Sequence, residues 1–392
     1  MSFERSSERA YRHGDAGPAV AEIRFKLVVL GLLADLSAPL SGTSTAVFDD
    51  DTDRAVRAFQ QQRGLTVDGV VGATTYHALD EARWRIGDRI LFYMPARLQA
   101  GDDVATLQQR MLDMGFDCGR VDGLFGVETE QALREFQRNV GIPADGTCGP
   151  TTFKALDKLA RTVVGGRPHA MRESEAINRA GPTLSGKLVI IDPGHGGADI
   201  GVSGHGLDEA ALAYDLASRV EGRLTLTGSS AFLTRGPDGD LDEVDRAGFA
   251  NAAGADLVIS LHVDAQANPQ AAGCATYYFG NDRIDHHSSV GERFADLVQR
   301  EVCARTDLVD LRAHRKTWDL LRRTRMPAVR IEPGYLSNPG DAARLADPAF
   351  RDVLAEAVVA AVQRLYLPPD EDAETGLLHI PADLRTGAGR PG

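Results

Sequence analysis

Apolar residues recur at helical spacing in the first 160 residues. Val20, Ile23, Leu27 and Leu30 form one set and Val104, Leu107, Met111 and Met114 another, each on one face of a helix. From Lys187 the pattern changes to short apolar runs alternating with longer amphipathic ones. LVIID, AFLTR, DLVISLH and AVRIE read as strands. ALAYDLASRVEGRL, DEVDRAGFANAAG and FRDVLAEAVVAAVQRLY read as helices, the first with Leu212, Leu216, Val220 and Leu224 spaced by four. Two small three-helix bundles followed by an α/β domain, its largely parallel sheet flanked by helices, are the predicted architecture.

The helical part is duplicated. Phe59 matches Phe136, Gln60 matches Gln137, Asp68 matches Asp145, Gly72 matches Gly149 and Leu79 matches Leu156, every pair 77 residues apart. Each copy is expected to open at a Gly-Asp, Gly14-Asp15 or Gly101-Asp102, with extra residues of copy one in a loop around ADLSAPLSGTSTA. The Asp-Gly after the AFQ or EFQ element forces a turn. A third helix then starts at Thr74-Thr75 or Thr151-Thr152, where a hydroxyl can cap it. The resulting boundaries are a tail over 1–13, module 1 over 14–82, a linker over 83–100, module 2 over 101–160, a second linker over 161–186, the α/β domain over 187–367 and a disordered tail over 368–392.

Composition narrows the function classes. A formal net charge of -13 argues against nucleic-acid binding by the chain as a whole. No stretch approaches 18 consecutive apolar residues, so no transmembrane span is expected. The polar start MSFERSSERAYRHGDAGPAV lacks the apolar core of a signal peptide, which predicts a cytoplasmic protein. Cys118, Cys148, Cys274 and Cys303 form no CxxC pair and read as reduced thiols.

The chemistry gathers at strand ends. His195 follows LVIID, His262 closes DLVISLH, Glu332 closes AVRIE, and Glu209 starts the helix after the first strand. The carboxyl ends of strands in an open α/β sheet form its ligand crevice, so these four can converge. Two histidines and a carboxylate are a usual ligand set for catalytic Zn2+, which makes hydroxide available near neutral pH. A free carboxylate can then move the proton. His195, Glu209 and His262 are assigned as zinc ligands and Glu332 as the catalytic acid/base. His205 is expected on the rim, and His286 and His287 at the solvated start of a helix.

The flanking segments IDPGHGGADIGVSGHG, DEAALAYDLA, TRGPDGD, RAGFAN, SLHVDA and RIEPGYLSN appear in one order. Together they resemble the N-acetylmuramoyl-L-alanine amidase type 3 family along nearly the whole α/β domain. The resemblance implies one zinc ion and cleavage of the amide between the lactyl group of muramic acid and L-alanine of the stem peptide. It matches the family's ligands to His195, Glu209 and His262 and its catalytic Glu to Glu332. Asp264 stands where the family has Asn, and Pro333-Gly334 where small or apolar residues follow the catalytic Glu. VDGLFGVETEQALREFQ in module 2 resembles the peptidoglycan-binding-domain-1 family. Module 1 departs from it, with Phe48-Asp49 where copy two has Gly123 and Gly126.

Two further stretches carry expectations. Arg312, Arg315, Lys316, Arg322, Arg323 and Arg325 form a basic run, read either as attraction for anionic stem-peptide carboxylates or as a face paired with neighbouring acids. Thr375 and Thr386 in the tail are expected phosphorylation sites for a Ser/Thr kinase, controlling a partner that docks on GLLHIP. Peptidoglycan fragments or precursors are the expected ligands. The architecture also resembles cytoplasmic actinobacterial amidase homologues that regulate the enolpyruvyl transferase of peptidoglycan synthesis. That resemblance implies regulation of a biosynthetic enzyme as the alternative function.

Overall fold

The structure, a computed structural model, describes residues 10–34, 46–160, 173–282 except 176 and 178, and 286–367. Thr375, Thr386 and the GLLHIP cluster lie outside the described residues. The chain divides into two compact units. One holds residues 1–172 with 279–288 and 315–325, and the other holds 173–278 with 289–314 and 326–392. No described helix is long and apolar enough to cross a membrane.

The first unit carries α1 (Pro18–Val29), α2 (Asp50–Gln62), α3 (Ala73–Ala82), α4 (Asp102–Asp113), α5 (Val127–Asn139) and α6 (Pro150–Ala160). Val20, Ile23, Leu27, Phe48, Val56, Phe59 and Leu79 are buried in the first bundle. Val104, Leu107, Met111, Phe125, Leu133, Phe136 and Leu156 are buried in the second. The duplication holds in space: the bridges Tyr11–Val71 and Ala16–Val47 of the first bundle recur as Leu91–Cys148 and Ala100–Leu124. Gly17, not Gly14, is therefore the partner of Gly101, since each precedes its first helix. Phe48-Asp49 likewise corresponds to Phe125-Gly126. The 83–100 stretch, expected as a linker, contributes Leu91 to the second core. Cys118 and Cys148 share that core as free thiols, and burial pushes the Cys148 thiol up to about 12.

A finer repeat lies inside the duplication. Gln60 donates from Nε2 to Asp68, to the Val70 carbonyl and to the Thr75 hydroxyl, while its Oε1 accepts from Gly69 N–H. Gln137 does the same with Asp145, Thr147, Thr152 and Gly146. So does Gln108 with Asp122, Leu124, Thr129 and Gly123. Arg24, bonded to Val47, Asp49 and Thr52, takes the place of the glutamine in the first copy. Each bundle is thus two helix–turn units, each tied by one side chain. Thr75 and Thr152 are buried acceptors in these ties, whereas α3 begins behind Gly72 with no side-chain cap. Losing the Gln137 amide strands polar partners around a buried turn. Gln137→Ala should therefore lower unfolding free energy in urea by about 1–3 kcal/mol, and a loss under about 0.5 kcal/mol would show the tie to be redundant.

The second unit carries β1 (Leu188–Pro193), the short β2 (Ser203–Gly204) and β3 (Leu207–Asp208), α7 (Glu209–Leu226), β4 (Ser230–Leu233), α8 (Glu243–Ala253), β5 (Leu257–Leu261), α9 (Ser289–Arg305), β9 (Ala328–Glu332), α11 (Pro339–Ala346) and α12 (Pro348–Tyr366). β6 (Cys274–Asn281) and β8 (Asp310–Lys316) begin in it and run into the first unit, which also holds β7 (His286–His287) and α10 (Asp319–Arg323). The sheet order is β4-β1-β5-β9-β6-β7, with β8 pairing β6. β4, β1, β5 and β9 run parallel, and β6 is antiparallel to β9 and β7. β5 is buried at every position, as a parallel strand covered on both faces must be. The parallel strands end together at Pro193, Leu261 and Glu332, and the candidate site lies there.

Candidate functional site

The loop after β1 turns sharply to present its histidine. His195 has a φ of 55°, a left-handed conformation that a non-glycine residue adopts only when its surroundings impose it. The surroundings here are two buried guanidinium groups. Arg235 donates to the Pro193 and Gly194 carbonyls, and Arg246 donates to the Pro193 and His195 carbonyls. Arg246 is in turn paired with buried Asp192 at 2.9 Å, and Asp192 also accepts from Thr234 and Ser260. Gly194 is required because a Cβ there would enter the His262 ring.

Glu209 starts α7, and its carboxylate is fixed by two backbone donors: Oε2 accepts from Val202 N–H and Oε1 from Val263 N–H, each at 3.0 Å. The same oxygens face the histidines, His195 Nε2 at 3.2 Å and His262 Nδ1 at 2.8 Å. His195, Glu209 and His262 each present a ligand atom within 4.8 Å of the others. The far nitrogen of His195, Nδ1, sits 2.7 Å from Asp199, a carboxylate that orients the ring.

The electrostatics suit a cation. Burial opposes ionisation of Glu209, but bonds from His195 and His262 outweigh it and hold the carboxyl well below the usual range. Burial and the nearby Arg330 charge bring His262 down to about 4, so the ring is neutral and its lone pair available. Two imidazoles and an anionic carboxylate, converging at this spacing, are a donor set that could hold a metal ion.

Glu332 closes β9 beside β5, where His262 N–H donates to the Ile331 carbonyl. Its side chain is buried and paired with Arg330 at 2.8 Å. It also accepts from the Tyr277 hydroxyl, because Tyr277 lies opposite Arg330 in the β6–β9 register. Burial raises the Glu332 carboxyl above its ordinary value; Arg330 opposes the rise, while Asp264 and Glu209 add to it. Asp264 carries the bonds of its own turn, accepting from Ala265 N–H and Gln266 Nε2.

The remaining expected residues fall elsewhere. His205 is exposed in the turn between β2 and β3 with a φ of 53°. His286 and His287 form β7 rather than opening a helix, which starts at Ser289, and His286 Nε2 accepts from Val121 N–H. The five arginines of the basic run pair with acids: Arg312 with Asp310, Arg315 with Asp282, Arg322 with Glu81, Arg323 with Asp319 and Arg325 with Glu128. Sequence reading missed Asp192, Asp199, Arg235, Arg246, Tyr277 and Arg330. The segments quoted for the resemblance contain all but Tyr277, and the charged residues inside them were the available signal.

The chain is similar to known proteins. A family model described as N-acetylmuramoyl-L-alanine amidase matches residues 189–364, and one described as a peptidoglycan binding domain matches 16–79 and 100–156. N-acetylmuramoyl-L-alanine amidase CwlM of Mycobacterium tuberculosis is 48% identical over 382 residues, covering 96% of this chain and 94% of that protein. N-acetylmuramoyl-L-alanine amidase LytC of Bacillus subtilis is 28% identical over 196 residues, covering 50% of this chain and 38% of that one. The solved amidase AmiC2 of Nostoc punctiforme shares 29% identity at a TM-score of 0.43, covering 47% of this chain and 99% of its own. With a relative so similar from end to end, and with the family model matched over residues 189–364, the chain belongs to the N-acetylmuramoyl-L-alanine amidase family.

Proposed function

We propose that the chain is a zinc-dependent hydrolase that cuts the amide between the lactyl group of muramic acid and L-alanine of a peptidoglycan stem peptide. The convergence of His195, Glu209 and His262, with the buried carboxylate of Glu332 at the end of the strand paired with β5, carries this reading. The three would hold the ion, and zinc when bound supplies a Lewis acid that lowers the pKa of water and polarises a carbonyl.

The protein's own groups do the rest. Glu332, closing the strand beside the one that ends at His262, accepts a proton from the attacking water on its carboxylate and returns it to the amide nitrogen as the C–N bond breaks. A buried carboxyl with a raised pKa holds that proton between the two transfers more readily than an exposed one. Tyr277 and Arg330 fix the carboxylate orientation. Asp199 and the two amides on Glu209 fix the ligands.

The test is peptide release from soluble muropeptide. Chelation should abolish release and added zinc should restore it. His262→Ala should lower zinc affinity by at least tenfold, comparable to losses seen even for outer-shell groups. Release that persists after complete chelation would exclude the proposal.

A further inference from the structure

The three glutamine-tied helix–turn units of the first unit differ in what covers the glycine of the turn. In two of them an arginine three residues before the tying glutamine covers the glycine of the turn. Arg57, from Gln60's helix, lies over Gly69, and Arg134, from Gln137's helix, lies over Gly146. Each is paired with an acid of its own helix, Arg57 with Asp53 at 2.7 Å and Arg134 with Glu130 at 2.9 Å. In the Gln108 unit the equivalent position is the buried Ala105, whose side chain ends at a Cβ beside Gly123 and carries no guanidinium. The turn glycine, Gly123, is covered all the same by Arg322, about 200 residues further along. Its guanidinium donates to the Asp122 carbonyl and pairs with Glu81 at 2.9 Å, so the arginine-over-glycine arrangement with an acid partner is complete.

We propose that Ala105, Gly123, the Asp122 carbonyl and Glu81 form an arginine socket whose resident ligand is Arg322, and that this socket clasps segment 315–325 to the two peptidoglycan-binding modules. Surrounding contacts belong to the same clasp. Arg120 donates to the Leu321 and Thr324 carbonyls, each at 3.0 Å. Thr317 and Lys316 donate to the Arg63 and Leu65 carbonyls of module 1. Arg63 bonds both oxygens of Asp102 at 2.7 and 2.8 Å, tying the two modules together behind the clasp. The missing arginine on α4 is what leaves room for one from elsewhere. The basic run, for which the sequence left open attraction for substrate carboxylates or pairing with neighbouring acids, supplies it. This inference does not depend on the proposed hydrolysis.

The test restores the missing arginine. In the full chain, Ala105→Arg fills the socket from its own helix and expels Arg322, and Arg322→Ala empties it. Hydrogen exchange of residues 315–325 should quicken at least tenfold in both variants. The module cores around Phe59 and Phe136 should stay protected, which separates loss of the clasp from unfolding. Unchanged protection of 315–325 in Ala105→Arg, with the modules folded, overturns the proposal. The readout involves neither zinc nor peptide release, so an inactive enzyme would leave it intact.

Discussion

Glu332→Gln should slow peptide release by about 10²–10⁴-fold, the usual contribution of a positioned acid/base, while zinc affinity stays at the wild-type level. The amide keeps the shape of the side chain and can still accept from Tyr277, but it cannot take up and return a proton. Glu332 contributes no ligand atom to the His195–Glu209–His262 group, so the ion should be held as before. A loss below tenfold would give the proton transfer to another residue. The pH profile refines the assignment. Glu332 must be ionised to act as base, and burial raises its carboxyl, so kcat/KM should fall as pH drops through that raised value. Arg330 is the group that opposes the rise. Arg330→Leu should therefore move the acid limb to higher pH, whereas a purely structural role would lower the rate without moving the limb.

Much of this site was legible because its chemistry sits where strands stop. Val189–Ile191 and Leu257–Leu261 are apolar runs that only a doubly covered sheet can bury, and a histidine directly after such a run has to lie at the sheet's edge. What the runs did not convey is how the loop is held. Asp192, Arg235 and Arg246 read as ordinary polar residues, and only the fold brings the two arginines under three successive carbonyls with Asp192 paired to Arg246. β6 and β8 were missed for different reasons. β6 carries the aromatic run Tyr277, Tyr278 and Phe279, a usable strand signal, whereas β8 is DLRAHRK, whose apolar face is only Leu311 and Ala313.

The helical unit shows the same division. The spacing from Gln60 to Asp68 and Thr75 equals that from Gln137 to Asp145 and Thr152, so these ties were readable from the duplication. The Gln108 tie spans a longer connection to Asp122 and Thr129, and the first copy uses Arg24, so neither shared a spacing that could expose it. The clasp by Arg322 joins positions with no sequence relation at all. A basic run shows its charge in the sequence but not its partners, and here the partners are acids and carbonyls of the protein itself.

Arg246→Ala should cost about 3–5 kcal/mol of unfolding free energy, because it leaves Asp192 as an uncompensated buried charge. Arg246 and Asp192 are 3% and 1% exposed, so water cannot replace the lost partner without opening the loop. Burial alone would raise the Asp192 carboxyl, yet Arg246 and the hydroxyls of Thr234 and Ser260 hold it below the ordinary value. A depressed carboxyl contributes its stability above the unfolded pKa of about 3.9 and loses it as pH falls through the folded value. The gap between wild type and Arg246→Ala in urea titrations should accordingly be full at neutral pH and narrow in acid. The same substitution removes donors from the Pro193 and His195 carbonyls and so loosens the left-handed conformation that aims His195 at Glu209. Zinc affinity, measured by chelator competition, should drop about 10–100-fold although no ligand has changed. Asp192→Asn combined with Arg246→Ala should recover part of the stability and none of the affinity, since the charge is neutralised but the carbonyls remain unheld. Equal recovery of both would mean that the ion pair matters only for folding and that the strained histidine is positioned by Arg235 alone.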